Sequence, residues 1–213
     1  MNKQQRIEFI EALSMRYKGV DTELFYDNAY QLLVAVILSA QATDVSVNKA
    51  LEPIFKMVYT PEDMVSYGLE RFSKGIKSIG LWRNKSQNVL KMSQDLIDRF
   101  QGQVPATRED LMSLAGVGRK TANVVLNVAF GQPTIAVDTH IFRVCNRTFF
   151  ARGKTPDQVE ASLERVVPEE FKREIHIWLI MFGRYVCRAQ SPQCHQCEIW
   201  RFCRYGQKHY VKN

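Results

Sequence analysis

Gly116, Gly118 and Lys120 fall within the stretch Leu114–Ala115–Gly116–Val117–Gly118–Arg119–Lys120–Thr121–Ala122. The segment before it reads as a helix from Arg108 to Ser113, and the segment after it as a helix from Arg119 to Val128. Gly116–Gly118 is then a tight turn between two helices. Glycine accepts a positive φ and lets a foreign group approach the backbone. The bare N–H groups and the positive dipole end of the second helix coincide there, which makes an anion site. Lys120 falls in the first turn of that helix. The dipole disfavours a cation at that end, which favours the free amine that acts as a nucleophile. An ordinary loop followed by a surface lysine would give the same local spacing.

Asp138–Thr139–His140 supplies the second group. Asp138 has the position of a helix N-cap, a common structural role. It also lies within reach of Lys120. A helix from Arg119 to Ala129 runs roughly 16 Å at ~1.5 Å per residue. Phe130 to Val137, if extended, returns up to about 26 Å. A lysine beside an aspartate suits displacement at a sugar carbon: the amine attacks, and the carboxylate takes its proton or stabilises positive charge on the sugar. His140 stands close enough to assist, although a lone histidine is more often a structural hydrogen-bond partner.

Four of the five cysteines, Cys187, Cys194, Cys197 and Cys203, are spaced C-x6-C-x2-C-x5-C. They are too crowded for a disulfide framework serving the whole chain, and they match metal-ligand spacing. Structural zinc usually shows two close pairs. Here only the middle pair is close, which suits an iron–sulfur cluster held by four thiolates better than zinc. Arg184, Arg188, Arg201 and Arg204 would offset the thiolate charge or face a phosphate backbone. Cys145 stands alone in a helical segment and reads as a core residue.

The elements that must position these groups are helical throughout. Lys3–Arg16 puts Ile7, Ile10, Leu13 and Met15 roughly on one face. Ala29–Ser39 is apolar nearly all round, as a buried helix is. Asp44–Phe55 follows. Thr60–Pro61 and Thr155–Pro156 are cap-and-proline helix starts, and Thr107 is a third cap without proline. Helices are also expected over Arg71–Lys77, Lys85–Phe100, Thr139–Thr148 and Pro168–Val186, with Thr134–Val137 a short buried extended segment. No strand ladder or internal repeat is evident, so the fold class is all-α. The 213 residues are 46% hydrophobic and carry a net charge of +7. That balance allows a real core and suits a polyanionic partner. The N-terminus has no signal-peptide core, and the longest apolar run, Leu32–Leu38, is too short to span a bilayer. A soluble cytoplasmic protein with no membrane contact is expected.

Taken together, Leu38–Ser39–Ala40–Gln41–Ala42–Thr43–Asp44, Leu114 to Val125, Val137 to Val144 and the four-cysteine spacing form a specific set. On these residues the chain resembles the endonuclease III family, bifunctional DNA glycosylases of the helix-hairpin-helix superfamily, over nearly its whole length. The resemblance implies two helical domains. One is a six-helix barrel near residues 22–132 that ends in the hairpin. The other is discontinuous, residues 1–21 plus 133–213, and holds a [4Fe–4S] cluster on Cys187, Cys194, Cys197 and Cys203. The active-site cleft lies between them. The implied partner is damaged double-stranded DNA, bound by a monomer associated with the nucleoid, with the damaged nucleotide flipped out of the stack.

By the same resemblance Lys120 is the nucleophile and Asp138 its catalytic partner. Gly116, Val117, Gly118 and Arg119 of the hairpin bind a DNA phosphate, together with a monovalent cation, and His140 is a further DNA contact. Gln41 and Leu81 enter the duplex and fill the gap. The implied activity is base-excision repair: removal of oxidised or ring-saturated pyrimidines through a Schiff base, then β-elimination 3′ to the abasic site. Two features depart from the family pattern. Ala115 stands where proline is usual in the hairpin. The loop between Cys187 and Cys194 carries Arg188 as its one basic residue. A glycosylase/lyase specific for pyrimidine dimers shares Lys120 and Asp138. A non-catalytic DNA-binding module with a structural metal gives those two residues no joint task. Adenine glycosylases of the superfamily place a glutamate where this chain has Ala35 and lack the hairpin lysine.

Overall fold

A computed structural model of the chain describes residues 1–201 and 203–209. Twelve α-helices and two short 3-10 turns occur among the described residues, with no strand. Helix labels follow chain order: α1 Lys3–Tyr17, α2 Ala29–Ser39, α3 Asp44–Phe55, α4 Pro61–Tyr67, α5 Leu69–Gly75, α6 Trp82–Phe100, α7 Arg108–Met112, α8 Arg119–Val128, α9 Thr139–Thr148, α10 Pro156–Val166, α11 Lys172–Tyr185 and α12 Arg204–His209. The chain divides into two compact units: Thr22–Gln132, and Met1–Asp21 with Pro133–Asn213.

The central unit is built on α2. Leu32, Leu33, Val34, Ala35 and Leu38 are fully buried there, as the all-round apolar sequence requires. Asn28 caps the helix by accepting a hydrogen bond from the Gln31 N–H at 2.9 Å. The Gln31 side chain is itself buried and donates to the carbonyls of Val58 and Phe55, so its burial leaves no orphan amide. Helix α6 lays Val89, Met92 and Leu96 on the same core, which also takes Ile54, Phe72 and Leu111. The helices expected from Thr60–Pro61 and over Arg71–Lys77 meet at Gly68, whose φ of +84° ends α4 and opens α5, so α5 starts at Leu69 and not at Arg71.

The other unit buries Phe9, Ile10 and Leu13 of α1 against Val144, Phe150, Leu163, Leu179 and Phe182, whereas Ile7 and Met15, expected on the same face, are exposed because the buried stripe runs through Phe9 instead. The Phe9 ring meets Phe150 edge-on at 5.0 Å and Phe182 at 5.5 Å. Cys145 is fully buried in this core, as expected. Residues 134–137 are buried and carry no regular secondary structure. The helix expected from Pro168 begins as a 3-10 turn, Glu169–Phe171, and becomes α-helical at Lys172. The Lys172 ammonium, held by Glu169 at 2.7 Å and Glu164 at 3.2 Å, marks the change. No helix among the described residues is long and apolar enough to cross a membrane.

Candidate active site

Thr107 caps α7, and Leu114 and Val117 are buried beneath the turn that follows. The Val117 N–H donates to the Leu114 carbonyl at 3.2 Å, closing a four-residue turn with Ala115 and Gly116 at its centre. Gly116 has φ +79°, and a Cβ on it would fall 2.9 Å from Cβ of Asn88. Folding therefore demands glycine at 116. Gly118 is different. Its φ of −95° and ψ of 176° are ordinary extended backbone, and a Cβ there would meet nothing within 4 Å. Gly118 is the N-cap of α8 and provides no side-chain cap. The fold would tolerate a side chain at 118, and only an approaching ligand would object to one. Arg119 and Lys120 follow in the first turn, both exposed.

Gln41 and Leu81 stand together in the same unit. Both have left-handed backbone, φ +57° and +60°, and both are exposed, Leu81 by 62%. Such a conformation is strained for a leucine. It belongs to the tertiary structure: Leu81 is the N-cap of α6, and a Cβ on Gly80 would lie 4.0 Å from the Gln41 carbonyl oxygen. Lys85 locks the pair. Its side chain is buried, and its Nζ donates to the Leu38 carbonyl at 2.8 Å and to the Ala40 carbonyl. These are the carbonyls at the end of α2, just before Gln41. Burial lowers the Lys85 pKa. No motif in the sequence points to Lys85. The available signal is its place on the buried stripe Lys85–Val89–Met92–Leu96 of α6.

In the other unit Asp138 is the N-cap of α9, and its Oδ1 accepts from the Ile141 N–H at 2.8 Å. The second carboxylate oxygen leaves room for a further role. His140 is half-buried against Gly183, where a Cβ on the glycine would come within 2.8 Å of His140 Cβ. Burial drives the His140 pKa down. Arg143 fastens this helix start to α11 and to the cysteine loop. It donates to the Gly183 carbonyl at 2.7 Å and the Cys187 carbonyl at 2.9 Å, and lies 3.2 Å from His140 Nδ1.

Cys187, Cys194, Cys197 and Cys203 line one small cavity with Phe182, Val186, Ile199 and Gly206. Among the described residues no three His, Cys, Asp or Glu side chains are gathered tightly enough for a single metal ion. The thiols surround a common space instead. Burial pushes the Cys187 and Cys194 thiols up, and Cys197 to about 12. The Arg147 guanidinium, 3.9 Å from Cys187 Sγ, opposes that rise at Cys187. The Gly206 N–H donates to Cys203 Sγ at 3.3 Å. Four soft donors, an apolar wall and N–H donors aimed at sulfur fit a thiolate-held cluster.

The helical fold, the two-glycine hairpin and the lysine on its second helix define a helix-hairpin-helix protein of DNA repair, and residues 34–169 match the family described as HhH-GPD superfamily base excision DNA repair protein. Endonuclease III of Haemophilus influenzae is 54% identical over 98% of this chain and 99% of its own, and that of Escherichia coli 51% over the same shares. A solved structure described as a trapped endonuclease III–DNA covalent intermediate superposes with a TM-score of 0.92 at 45% identity, covering 98% of both chains. The chain belongs to the endonuclease III family of this superfamily, and its activity is that of a base-excision DNA glycosylase and abasic-site lyase.

Proposed function

We propose that Lys120 is the nucleophile of this activity, that Asp138 is its acid–base partner, and that the substrates are oxidised pyrimidines in duplex DNA. The observation that carries the reading is the exposed Lys120 two residues beyond Gly118, a glycine that folding does not require. A relative captured in a covalent intermediate with DNA supports an enzyme-borne nucleophile.

The Lys120 amine attacks C1′ as the bond to the damaged base breaks, and the base departs with the electron pair. The Asp138 carboxylate takes the proton shed by the new ammonium. Opening of the sugar gives a Schiff base between Lys120 and C1′. Loss of a C2′ proton then expels the 3′ phosphate by β-elimination, and water hydrolyses the imine to release the enzyme. The N–H groups around Gly116, Val117, Gly118 and Arg119 hold a phosphate of the strand, with a monovalent cation beside it. Gln41 and Leu81 occupy the space that the extruded nucleotide leaves. His140 contributes a DNA contact from the start of α9. Cys187, Cys194, Cys197 and Cys203 would hold a [4Fe–4S] cluster, which supplies a structural cross-link for the chain's last turns. The protein works in the cytoplasm, on the nucleoid.

The test is borohydride trapping on duplex DNA carrying one thymine glycol. The wild type should give a covalent adduct and Lys120→Ala none. An adduct on an abasic site only would reject the base specificity. An adduct that persists in Lys120→Ala would reject the nucleophile.

A further inference from the structure

The C-terminal end of α9 carries a cationic surface that the proposed chemistry does not use. Two open hollows, of about 680 and 400 Å³, meet at Phe149 and Arg204. Lys208 lines the first, and Arg152 and Arg201 line the second. All four cations are exposed, and among the described residues no Asp or Glu side chain lines either hollow. Arg147 lies there too, but its guanidinium is spent on the carbonyls of Arg188 and Ala189. In a chain with 22 acidic residues, four cationic side chains and the Met1 ammonium about two adjoining hollows, with no acidic side chain in the described lining, are not an average surface.

The aromatic rings explain how the charges are held. Arg152 lies 4.4 Å and Arg204 5.3 Å from the Phe149 ring centre. Arg147 lies 4.4 Å from the centre of Tyr205. Two guanidiniums attracted to one ring repel each other, and an anion between them relieves the repulsion. Phe149 itself has φ +63°, an uncommon backbone for a bulky residue. The rings are engaged by guanidiniums, so they offer no free face for stacking an unpaired base. What the surface offers is donors for phosphate oxygens, the backbone chemistry of a duplex. Asp138 is at the opposite end of α9, ten residues away or roughly 15 Å along the helix axis.

We propose that Arg152, Arg201, Arg204 and Lys208, gathered around Phe149, bind the phosphate backbone of a second DNA duplex, separate from the one that carries the lesion. The choice of DNA as the polyanion rests on the chain's place among DNA repair proteins. The consequence is direct transfer: a second duplex is taken up before the first is released.

The test measures the dissociation rate of the intact protein from a short, labelled, undamaged duplex as unlabelled duplex is added. With a second site the rate rises with competitor concentration. In the double variant Arg152→Glu, Lys208→Glu it should stay at its competitor-free value. Incision of a short lesion-bearing duplex and the melting temperature should match the wild type, which shows that the variant is folded and separates this site from the lesion chemistry. A wild-type rate independent of competitor overturns the proposal, as does full competitor dependence in the double variant. Binding of phosphatidylglycerol vesicles, and not of a second duplex, through these residues would overturn it in favour of a lipid contact.

Discussion

The Lys85 ammonium reaches the end of a helix 47 residues earlier in the chain, donating to the Leu38 carbonyl at 2.8 Å. It thereby ties the start of α6, where Leu81 stands, to the turn that presents Gln41. Removing the ammonium while keeping the bulk of the side chain isolates that tie. Lys85→Met should lose about 1–3 kcal/mol of stability, because two main-chain carbonyls are left without their donor. Denaturant unfolding reads the loss. Duplex affinity should fall further than stability does, since both exposed turns lose their anchor.

The two hairpin glycines should respond oppositely to alanine. Gly116→Ala places a Cβ at positive φ and against Asn88, and should cost about 1–2 kcal/mol in thermal or chemical unfolding. Gly118→Ala should leave stability within about 0.5 kcal/mol, because its backbone is ordinary and the space beside it is open. It should nevertheless weaken DNA binding. A Gly118→Ala protein with wild-type affinity would remove the hairpin from the DNA contacts.

Ala115 occupies the second position of the Leu114–Val117 turn, followed by a glycine at positive φ. That is the sequence logic of a type II turn, in which the second position favours proline. Ala115→Pro should therefore stabilise the protein by about 0.5–1 kcal/mol, by restricting the unfolded chain. Catalysis should be unchanged. A lower melting temperature for the proline variant would count against the turn assignment.

His140 gives the fold a pH dependence of definite sign. Burial lowers its pKa below the ordinary 6.5, partly opposed by the charge of Asp138, while Arg143 and Arg184 add to the lowering. As pH falls through 6.5 the unfolded chain takes up a proton that the folded chain still refuses. In that window the unfolded state binds more protons, so stability declines as pH declines. Above about pH 7.5 the contribution is flat. Urea unfolding from pH 8 to pH 5 should show the decline, and His140→Asn should shallow it. An unchanged slope in the variant would assign the decline to other groups.

Much of the fold is written in local signals. Helices α2, α3, α8 and α9 begin and end where the apolar runs, the glycine turn at 116–118 and the Asp138 cap place them, because these signals act on their own neighbours. The cysteine spacing likewise points to one shared cavity, since the four thiols sit on a short stretch of chain. What local reading misses is set from a distance. Lys85 looks like any surface lysine until the end of α2 arrives over it. The left-handed turn at Leu81 follows from that approach and not from any preference of leucine, so α6 starts at Trp82 and not at Lys85. Gly68 brings the start of α5 forward to Leu69, two residues before the expected Arg71. The cations around Phe149 come from α12 and from the loops flanking it and following α9, and no spacing rule connects them.

The turns at Gln41 and Leu81 have one more consequence, which concerns time. Their strained backbones are set when the protein folds and are held by a buried ammonium. If Gln41 and Leu81 enter the duplex as proposed, nothing has to be rearranged when an intact base pair comes under inspection. A repair protein meets sound pairs far more often than broken ones. On that reading a rigid probe would make each of those meetings brief, and would leave the deformability of the damaged pair to decide where the protein stops.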